Sequence, residues 1–326
     1  MTVSFFNAAL AAWRATYSPA PGREVADAQL DAVVKLSIQA VSGARTATTL
    51  GAEREGTGVV ISGDGLILTI GYLILEAASI LVVTRDGRVF PATVAGFDHA
   101  TGFGLLRSRP GVAHPLALGD SSALEELHNV SVATHPGAGG CTRACIVARR
   151  QFTGWWEYML EDAIFAAPPR SEHSGAALID AEGGLVGIGS LWVGDALDMG
   201  VAFPGNMFVP VDLLKPVLGD LVATGRRSGP ARPWLGVYSE AIEGHLAVTG
   251  VLPESPAEQA GLHRGDVILG VGGQAIGDQG EFYQSLWASG EAGSDITLHV
   301  LHDKTVKHII VHSADRLDYL RPWKVC

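Results

Sequence analysis

Short apolar runs separated by glycine-rich turns fill the first two thirds of the chain. The runs 59–61 and 66–68 flank the turn 63–65, which predicts a β-hairpin. The runs 80–84 and 89–94 flank an Asp-Gly pair and predict a second hairpin. Many short strands joined by glycine-rich turns are typical of a β-sandwich or a β-barrel.

Helical periodicity is confined to a few segments. Residues 25–38 have helical character that passes into a strand. Between 208 and 224 apolar residues recur with the period of an α-helix, which predicts a helix that closes a first domain. Farther along, Asp278 is a good N-cap for a helix over 278–288, with Glu281 in the capping-box position.

Composition and length place the chain among globular proteins with two or three domains. Its 326 residues are 47% apolar and 17% charged, which is enough apolar material for sizeable cores. The formal net charge of -11 argues against nucleic-acid binding, which depends on cationic contacts to phosphate. Residues 1–20 lack a basic n-region, and no apolar run is long enough to cross a bilayer. We therefore expect neither a signal peptide nor a membrane span.

The cysteine and histidine spacings argue against a disulfide and against a metal site. Cys141 and Cys145 lie four residues apart in an extended segment, which separates them by about 13 Å. That distance is too long for a disulfide. His308 and His312 share one strand face but are also about 13 Å apart, and no ligand cluster accompanies them. We expect no bound metal and no cofactor.

Ser174 lies in a Ser-Gly turn that runs into an apolar strand. Residues 171–179 are typical of a turn followed by a buried strand, and a second strand follows at 185–189. A Ser-Gly pair alone carries no functional signal. Its meaning depends on the motifs that accompany it.

Further motifs resemble, in the same order, those of the HtrA/DegP family of serine proteases. That family joins a chymotrypsin-like double β-barrel to a PDZ domain, so the resemblance implies a mainly β fold with this architecture. It covers about residues 30–315, nearly the whole chain. The matching segments are 56–69, 96–107, 115–121, 200–207 and 252–269.

Three positions depart from the family's catalytic pattern, while the serine is kept as Ser174. Tyr72 stands where the resemblance places the catalytic His, Gly102 where it places the Asp, and Glu172 where it places a Gly of the oxyanion loop. A serine hydroxyl needs an adjacent base, and a protonated phenol is not one. Loss of the base of a triad costs on the order of 10⁶ in kcat. Glu172 adds a side chain and a negative charge beside a developing oxyanion.

The departures predict a proteolytically inactive homologue, a pseudoprotease. Two alternatives stay open. One is an active HtrA-type serine endopeptidase in which Ser174 uses a rearranged base such as His99, His135 or His173. The other is a regulatory subunit of an active paralogue within a mixed oligomer.

For the second domain the resemblance implies peptide C-termini or unfolded protein segments as partners. Such a peptide adds as a strand beside the helix 278–288, and backbone N–H groups of a short loop capture its carboxylate. For Phe282 and Leu286 a purely structural role in the core is the alternative. The implied residues are Trp234, Leu235, Gly236 and Val237 in the loop, and Phe282 and Leu286 as groove walls.

The expected domain division follows from these motifs. The first predicted segment is an N-terminal arm at residues 1–29. It contains aromatic residues of the kind that commonly help to form a trimer in this family, so a homotrimer is one expectation. A disordered arm or packing on the barrel are the others. The resemblance favours the bacterial periplasm, whereas the lack of a signal peptide favours the cytoplasm. The divisions are an arm at 1–29 with Phe5, Phe6, Trp13 and Tyr17, a trypsin-like protease domain at 30–225, a linker at 226–231, a PDZ domain at 232–315 and a tail at 316–326.

Overall fold

The computed structural model describes residues 25–135 and 140–321, which form two compact units. Of these described residues, the first unit contains those up to Arg150 together with Asp162–Arg227. The second contains Gln151–Glu161 and residues 228–321. The aromatic residues of the predicted arm lie outside the described residues, so the trimer remains a prediction.

Six antiparallel strands close the first barrel of the first unit, in the order β1-β2-β3-β6-β5-β4. Both hairpins predicted from the sequence are confirmed, since Val59 pairs with Leu68 and Ile80 pairs with Ala92. A short helix, α1, precedes the barrel, and α2 follows its first strand. The elements are α1 Asp27–Asp31, β1 Val33–Ala40, α2 Ala47–Leu50, β2 Glu53–Val60, β3 Leu66–Ile70, a 3₁₀ turn Gly71–Leu73, β4 Ala77–Val83, β5 Val89–Asp98 and β6 Phe103–Arg107.

A second closed barrel follows, with strand order β10-β11-β12-β9-β8-β7. Its core is formed by apolar side chains from several strands, Leu178 and Phe208 among them. The two barrels confirm the mainly β class predicted from the sequence. The elements are β7 Asn129–Ala133, β8 Cys141–Gly154, β9 Tyr158–Ala167, β10 Ala177–Ile179, β11 Leu185–Val193, β12 Gly205–Pro210, a 3₁₀ turn Val211–Leu213 and α3 Leu218–Thr224.

The helix predicted over 208–224 is wrong in its first half. Phe208 belongs to β12, where it pairs with Gly189 on one side and Ile164 on the other. Sheet pairing and burial of Phe208 therefore override the helical period at this end. The helix α3 begins at Leu218 and ends before Gly225, which adopts φ +77° as a left-handed cap.

The second unit is a small β-sheet with helices packed on it, in the strand order β13-β14-β15-β17-β18, with β16 pairing β15. The strand β13 is an edge strand. The helix predicted from Asp278 is confirmed, because the Asp278 carboxylate accepts the Glu281 N–H at 2.8 Å. The elements are β13 Val237–Ile242, β14 His245–Val251, α4 Pro256–Gln259, β15 Val267–Val271, β16 Gln274–Ala275, α5 Gln279–Ala288, β17 Asp295–His302, β18 Thr305–His312 and α6 Arg316–Tyr319.

Two smaller expectations also meet the structure. Cys141 and Cys145 are free thiols on β8, as their spacing predicts. Within residues 25–135 and 140–321, none of the helices is long and apolar enough to span a membrane.

Candidate active site and peptide-binding loop

The turn that holds Ser174 is fixed against β2 of the first barrel. The Thr57 N–H donates to the Ser174 carbonyl oxygen at 2.8 Å. Gly175 adopts φ +77°, and a Cβ added there would lie 1.9 Å from the Thr57 carbonyl oxygen. The turn therefore requires glycine after the serine, and it presents Ser174 in one fixed orientation.

Tyr72 lies on the 3₁₀ turn after β3, and the structure brings it directly to Ser174. The phenolic oxygen is 2.8 Å from Ser174 Oγ and 2.7 Å from the carbonyl oxygen of Ser190. Among the described residues, Tyr72 is the side chain that hydrogen-bonds to the Ser174 hydroxyl. The position predicted for a catalytic base is thus filled by a phenol in direct contact with the serine.

The direction of the proton in this pair follows from the groups involved. A phenol has one proton, and a backbone carbonyl only accepts. We therefore assign the Tyr72 proton to the Ser190 carbonyl, which leaves the Ser174 hydroxyl as donor to the phenolic oxygen. Burial raises the pKa of Tyr72 well above its usual range. A neutral phenol oxygen does not remove a proton from serine, so Ser174 is not activated by this contact.

Gly102 contributes only backbone to this region. Its N–H donates to the Asp98 carbonyl at 2.7 Å, and its own carbonyl accepts the Gly71 N–H at 2.7 Å. The carboxylate of Asp98 is buried, but the Arg227 guanidinium binds both its oxygens, at 3.0 and 2.7 Å, and Thr101 donates to it. The Asp98 carboxylate is therefore engaged in tying Arg227 to the barrel.

Glu172 is exposed and carries its charge close to the turn. It accepts a hydrogen bond from Ser171 at 2.7 Å and lies 3.6 Å from the Arg170 guanidinium. The Ser171 hydroxyl, more than the nearby Arg170, lowers the pKa of Glu172. The carboxylate is negative at neutral pH, two residues before the serine.

The three histidines named as replacement bases are placed in different ways. His173 directs Nδ1 toward the Arg170 carbonyl at 3.3 Å, and burial lowers its pKa. The backbone N–H of His135 donates to Thr57 Oγ1 at 3.1 Å. The His99 ring packs edge-on against Phe97. Within the described residues none of these imidazoles forms a hydrogen bond with Ser174 Oγ.

The loop predicted to capture a carboxylate does bind one, but from the same chain. The backbone N–H groups of Leu235, Gly236 and Val237 donate to the Glu157 carboxylate at 3.0, 2.6 and 2.9 Å. Trp234, the fourth predicted loop residue, instead exchanges backbone hydrogen bonds with Ala314. Glu157 belongs to the hairpin tip Gln151–Glu161 of the second unit.

The hairpin tip is held at several further points. The Tyr283 hydroxyl donates to the Gly154 carbonyl at 2.6 Å and accepts the Glu157 N–H at 3.1 Å. The Ser239 N–H of β13 donates to the Trp155 carbonyl at 3.0 Å. Burial raises the pKa of the Glu157 carboxyl, while the three loop N–H groups and the Arg316 guanidinium act in the opposite direction.

Both residues predicted as groove walls lie in the core of the second unit. Phe282 and Leu286 are fully buried among the side chains of the sheet. Tyr283, on the same helix, is the residue that contacts the hairpin tip through its hydroxyl. No pattern in the sequence predicts the roles of Glu157 and Tyr283. The aromatic pair before Glu157 is a weak signal, because it does not reveal which surface the turn contacts.

One group of side chains has ligand atoms spaced as in a metal site. Atoms of His263, Asp266 and His302 lie within 4.8 Å of one another. The buried Asp266 carboxylate accepts the backbone N–H of His263 at 2.9 Å and contacts His302 Nδ1 at 2.6 Å. Both carboxylate oxygens are engaged, and the contacts link the loop before β15 to the end of β17.

Comparisons with known proteins agree with this architecture. A family model described as a trypsin-like peptidase domain matches residues 56–188, and one described as a PDZ domain matches residues 233–312. Serine endoprotease DegS of Haemophilus influenzae is 30% identical over 231 residues, which are 67% of this chain and 65% of that protein. A putative serine protease HhoA of Synechocystis is 29% identical over 252 residues, 69% of this chain and 61% of that protein.

Solved structures of the same kind share the fold. The HtrA-type protease AlgW with a decapeptide superimposes with a TM-score of 0.54 at 24% identity, covering 90% of this chain and 97% of that one. Two barrels, a serine turn and a PDZ domain define a trypsin-like peptidase fold with an appended PDZ domain. The chain contains both domains and is similar to serine proteases of the HtrA/DegP type. It spans less than two thirds of the length of the first curated relatives that it matches.

Proposed function

We propose that this protein is a proteolytically inactive HtrA homologue that binds the carboxyl termini of peptides or partner proteins through its PDZ domain. The contact between Tyr72 Oη and Ser174 Oγ carries the first half of the proposal. A phenol at the position of the base accepts the serine's hydrogen bond but leaves the serine without a general base. The glycine at 102 offers no carboxylate to orient one.

The charge on Glu172 supports the same conclusion. Hydrolysis of a peptide bond places negative charge on an oxyanion, which enzymes stabilise with hydrogen-bond donors. A carboxylate two residues before Ser174 opposes that charge instead. Three altered positions therefore act against catalysis at separate steps: proton removal, orientation of a base and stabilisation of the oxyanion.

The second half of the proposal rests on the PDZ domain. Its loop has the backbone geometry to bind a carboxylate, because three successive N–H groups converge on one. The related AlgW structure was solved with a decapeptide. Several relatives are described as probable periplasmic endoproteases, and we propose the same compartment here.

Catalytic inactivity is tested by incubating the protein with unfolded casein and with a fluorophosphonate probe. We expect neither cleavage nor labelling, and the same result for Ser174→Ala. Trypsin, which cleaves unfolded casein and has a reactive serine, is the positive control for both reagents. Casein cleavage that disappears in Ser174→Ala would overturn the proposal and establish an active enzyme with a rearranged base.

A further inference from the structure

The carboxylate loop of the PDZ domain is filled by a side chain of its own polypeptide. We propose that Glu157 is an internal ligand, which occupies the loop in place of a peptide's C-terminal carboxylate. A free C-terminal carboxylate then gains the loop only when the hairpin tip Gln151–Glu161 leaves it. This inference rests on the proposed peptide-binding function and adds its regulation.

The hydrogen bonds to Glu157 are those that a terminal carboxylate would receive. Both kinds of carboxylate present two acceptor oxygens with the same charge, so one set of N–H donors serves either. One Glu157 oxygen accepts from Leu235, and the other accepts from Gly236 and Val237. All three donors are used, so a second carboxylate cannot bind at the same time.

The strand side of the groove is occupied as well. A bound peptide adds to the free edge of a sheet beside a helix, through main-chain hydrogen bonds. Here β13 is the edge strand, and its Ser239 N–H donates to the Trp155 carbonyl of the tip. The Trp155 ring packs on Tyr238 of the same strand with 4.6 Å between ring centroids. The hairpin tip thus occupies both the carboxylate loop, through Glu157, and the Ser239 N–H on the edge strand, through the Trp155 carbonyl.

The backbone of the tip shows that the carboxylate is specifically placed. Glu157 adopts φ +57°, a conformation that favours glycine or asparagine, yet the residue is only 1% exposed. The turn alone does not favour glutamate at this position. The Tyr283 hydroxyl bridges Gly154 and Glu157, and the Arg316 guanidinium donates to the Trp156 carbonyl at 3.2 Å. These contacts hold the turn so that its carboxylate enters the loop.

An internal ligand lowers the apparent affinity for any outside peptide. The apparent dissociation constant equals the intrinsic one divided by the fraction of molecules whose loop is free. A variant that weakens the tip increases that fraction. Such a variant should therefore bind peptides more tightly than the natural protein, although no residue of the loop itself has changed.

The test uses the full chain and four versions of it: the natural protein, Glu157→Gln, Tyr283→Phe and the control Glu161→Gln. Glu157→Gln removes the charge and replaces one of the two acceptor oxygens with an NH₂ group, which is a donor. The amide therefore cannot satisfy all three loop N–H donors as the carboxylate does. Tyr283→Phe keeps the ring in the core and removes only the bridging hydroxyl. Glu161 lies on the same tip, is exposed, and undergoes the same chemical change.

The first readout is hydrogen exchange at the Leu235, Gly236 and Val237 amides. We expect protection in the natural protein and in Glu161→Gln, and a loss of at least about tenfold in the other two variants. The second readout is the binding of fluorescein-labelled decapeptides that end in Ala, Val, Leu, Phe, Tyr or Glu. Each is offered with a free carboxylate and as its amide. We expect the two weakened variants to bind at least one free-acid peptide about tenfold more tightly than the natural protein does.

The outcomes separate the inference from the function beneath it. Equal protection of the loop amides in the natural protein and both weakened variants would overturn the internal ligand, whatever the peptides do. Equal peptide affinity in all four versions would also overturn it, while supporting peptide binding. A loop that is released in the variants but binds no free-acid peptide supports the internal ligand and overturns peptide binding.

Discussion

The Ser174 hydroxyl donates its hydrogen bond to the phenolic oxygen of Tyr72, which has little affinity for a proton. The Ser190 carbonyl accepts the Tyr72 phenol proton at 2.7 Å, which holds the phenol at the position of the base. Ser190 is itself buried, which means that its carbonyl has little access to water. The Tyr72–Ser174 pair is therefore a structural contact. It joins the 3₁₀ turn after β3 of the first barrel to the turn before β10 of the second barrel.

Replacing Tyr72 with Phe tests this structural role. The change keeps the ring and leaves the Ser190 carbonyl and the Ser174 hydroxyl without their partner, which costs about 1 kcal/mol or more of unfolding free energy. For a unit of this size we expect a fall in melting temperature of roughly 2–4 °C, measured by scanning calorimetry. Tyr238→Phe, where the ring contact to Trp155 is kept, is the matched control. An unchanged melting temperature in Tyr72→Phe would contradict the structural role.

At the scale of elements, the serine turn and β2 form one packed interface. Gly175→Ala places a Cβ 1.9 Å from the Thr57 carbonyl and also requires φ +77° of an alanine. An overpacked core position costs roughly 1–3 kcal/mol of unfolding free energy. We expect this variant to lose at least that much stability, or to be recovered only as insoluble protein. Gly63→Ala is the control, since a Cβ there has no heavy atom within 4 Å. Equal melting temperatures for the two variants would show that the turn can move away from β2.

The elements were more predictable than the contacts that they make. The hairpin around 63–65 and the capped helix from Asp278 follow from local chemistry, namely a turn sequence and an N-cap. The strand at Phe208 was missed because it is fixed by partners on two other strands, Gly189 and Ile164, which the local period of apolar residues does not reveal. The meeting of Tyr72 with Ser174 was expected from the family resemblance. The Glu157 carboxylate in the PDZ loop has no local signal, since it depends on a turn 78 residues before Leu235.

At the scale of the whole molecule, the hairpin tip belongs to the second unit by its contacts, although it is formed by the end of β8, the turn after it and the start of β9, two strands of the second barrel. Met159 of the tip is buried in the same core as Leu298 of β17. Segments that share one core tend to open together. The stability of the tip should therefore follow the core of the second unit.

Two matched core substitutions test whether the hairpin tip opens with the second unit or with the second barrel. Leu298→Ala removes a fully buried side chain from the second unit, and Leu178→Ala removes one from the second barrel. Each costs about 2–5 kcal/mol of local stability. In native-state hydrogen exchange we expect Leu298→Ala to reduce protection of the Glu157 amide as much as that of β17, and Leu178→Ala to leave it nearly unchanged. The reverse pattern would mean that the tip opens with the barrel, so that a change in the barrel core would be the event that frees the carboxylate loop.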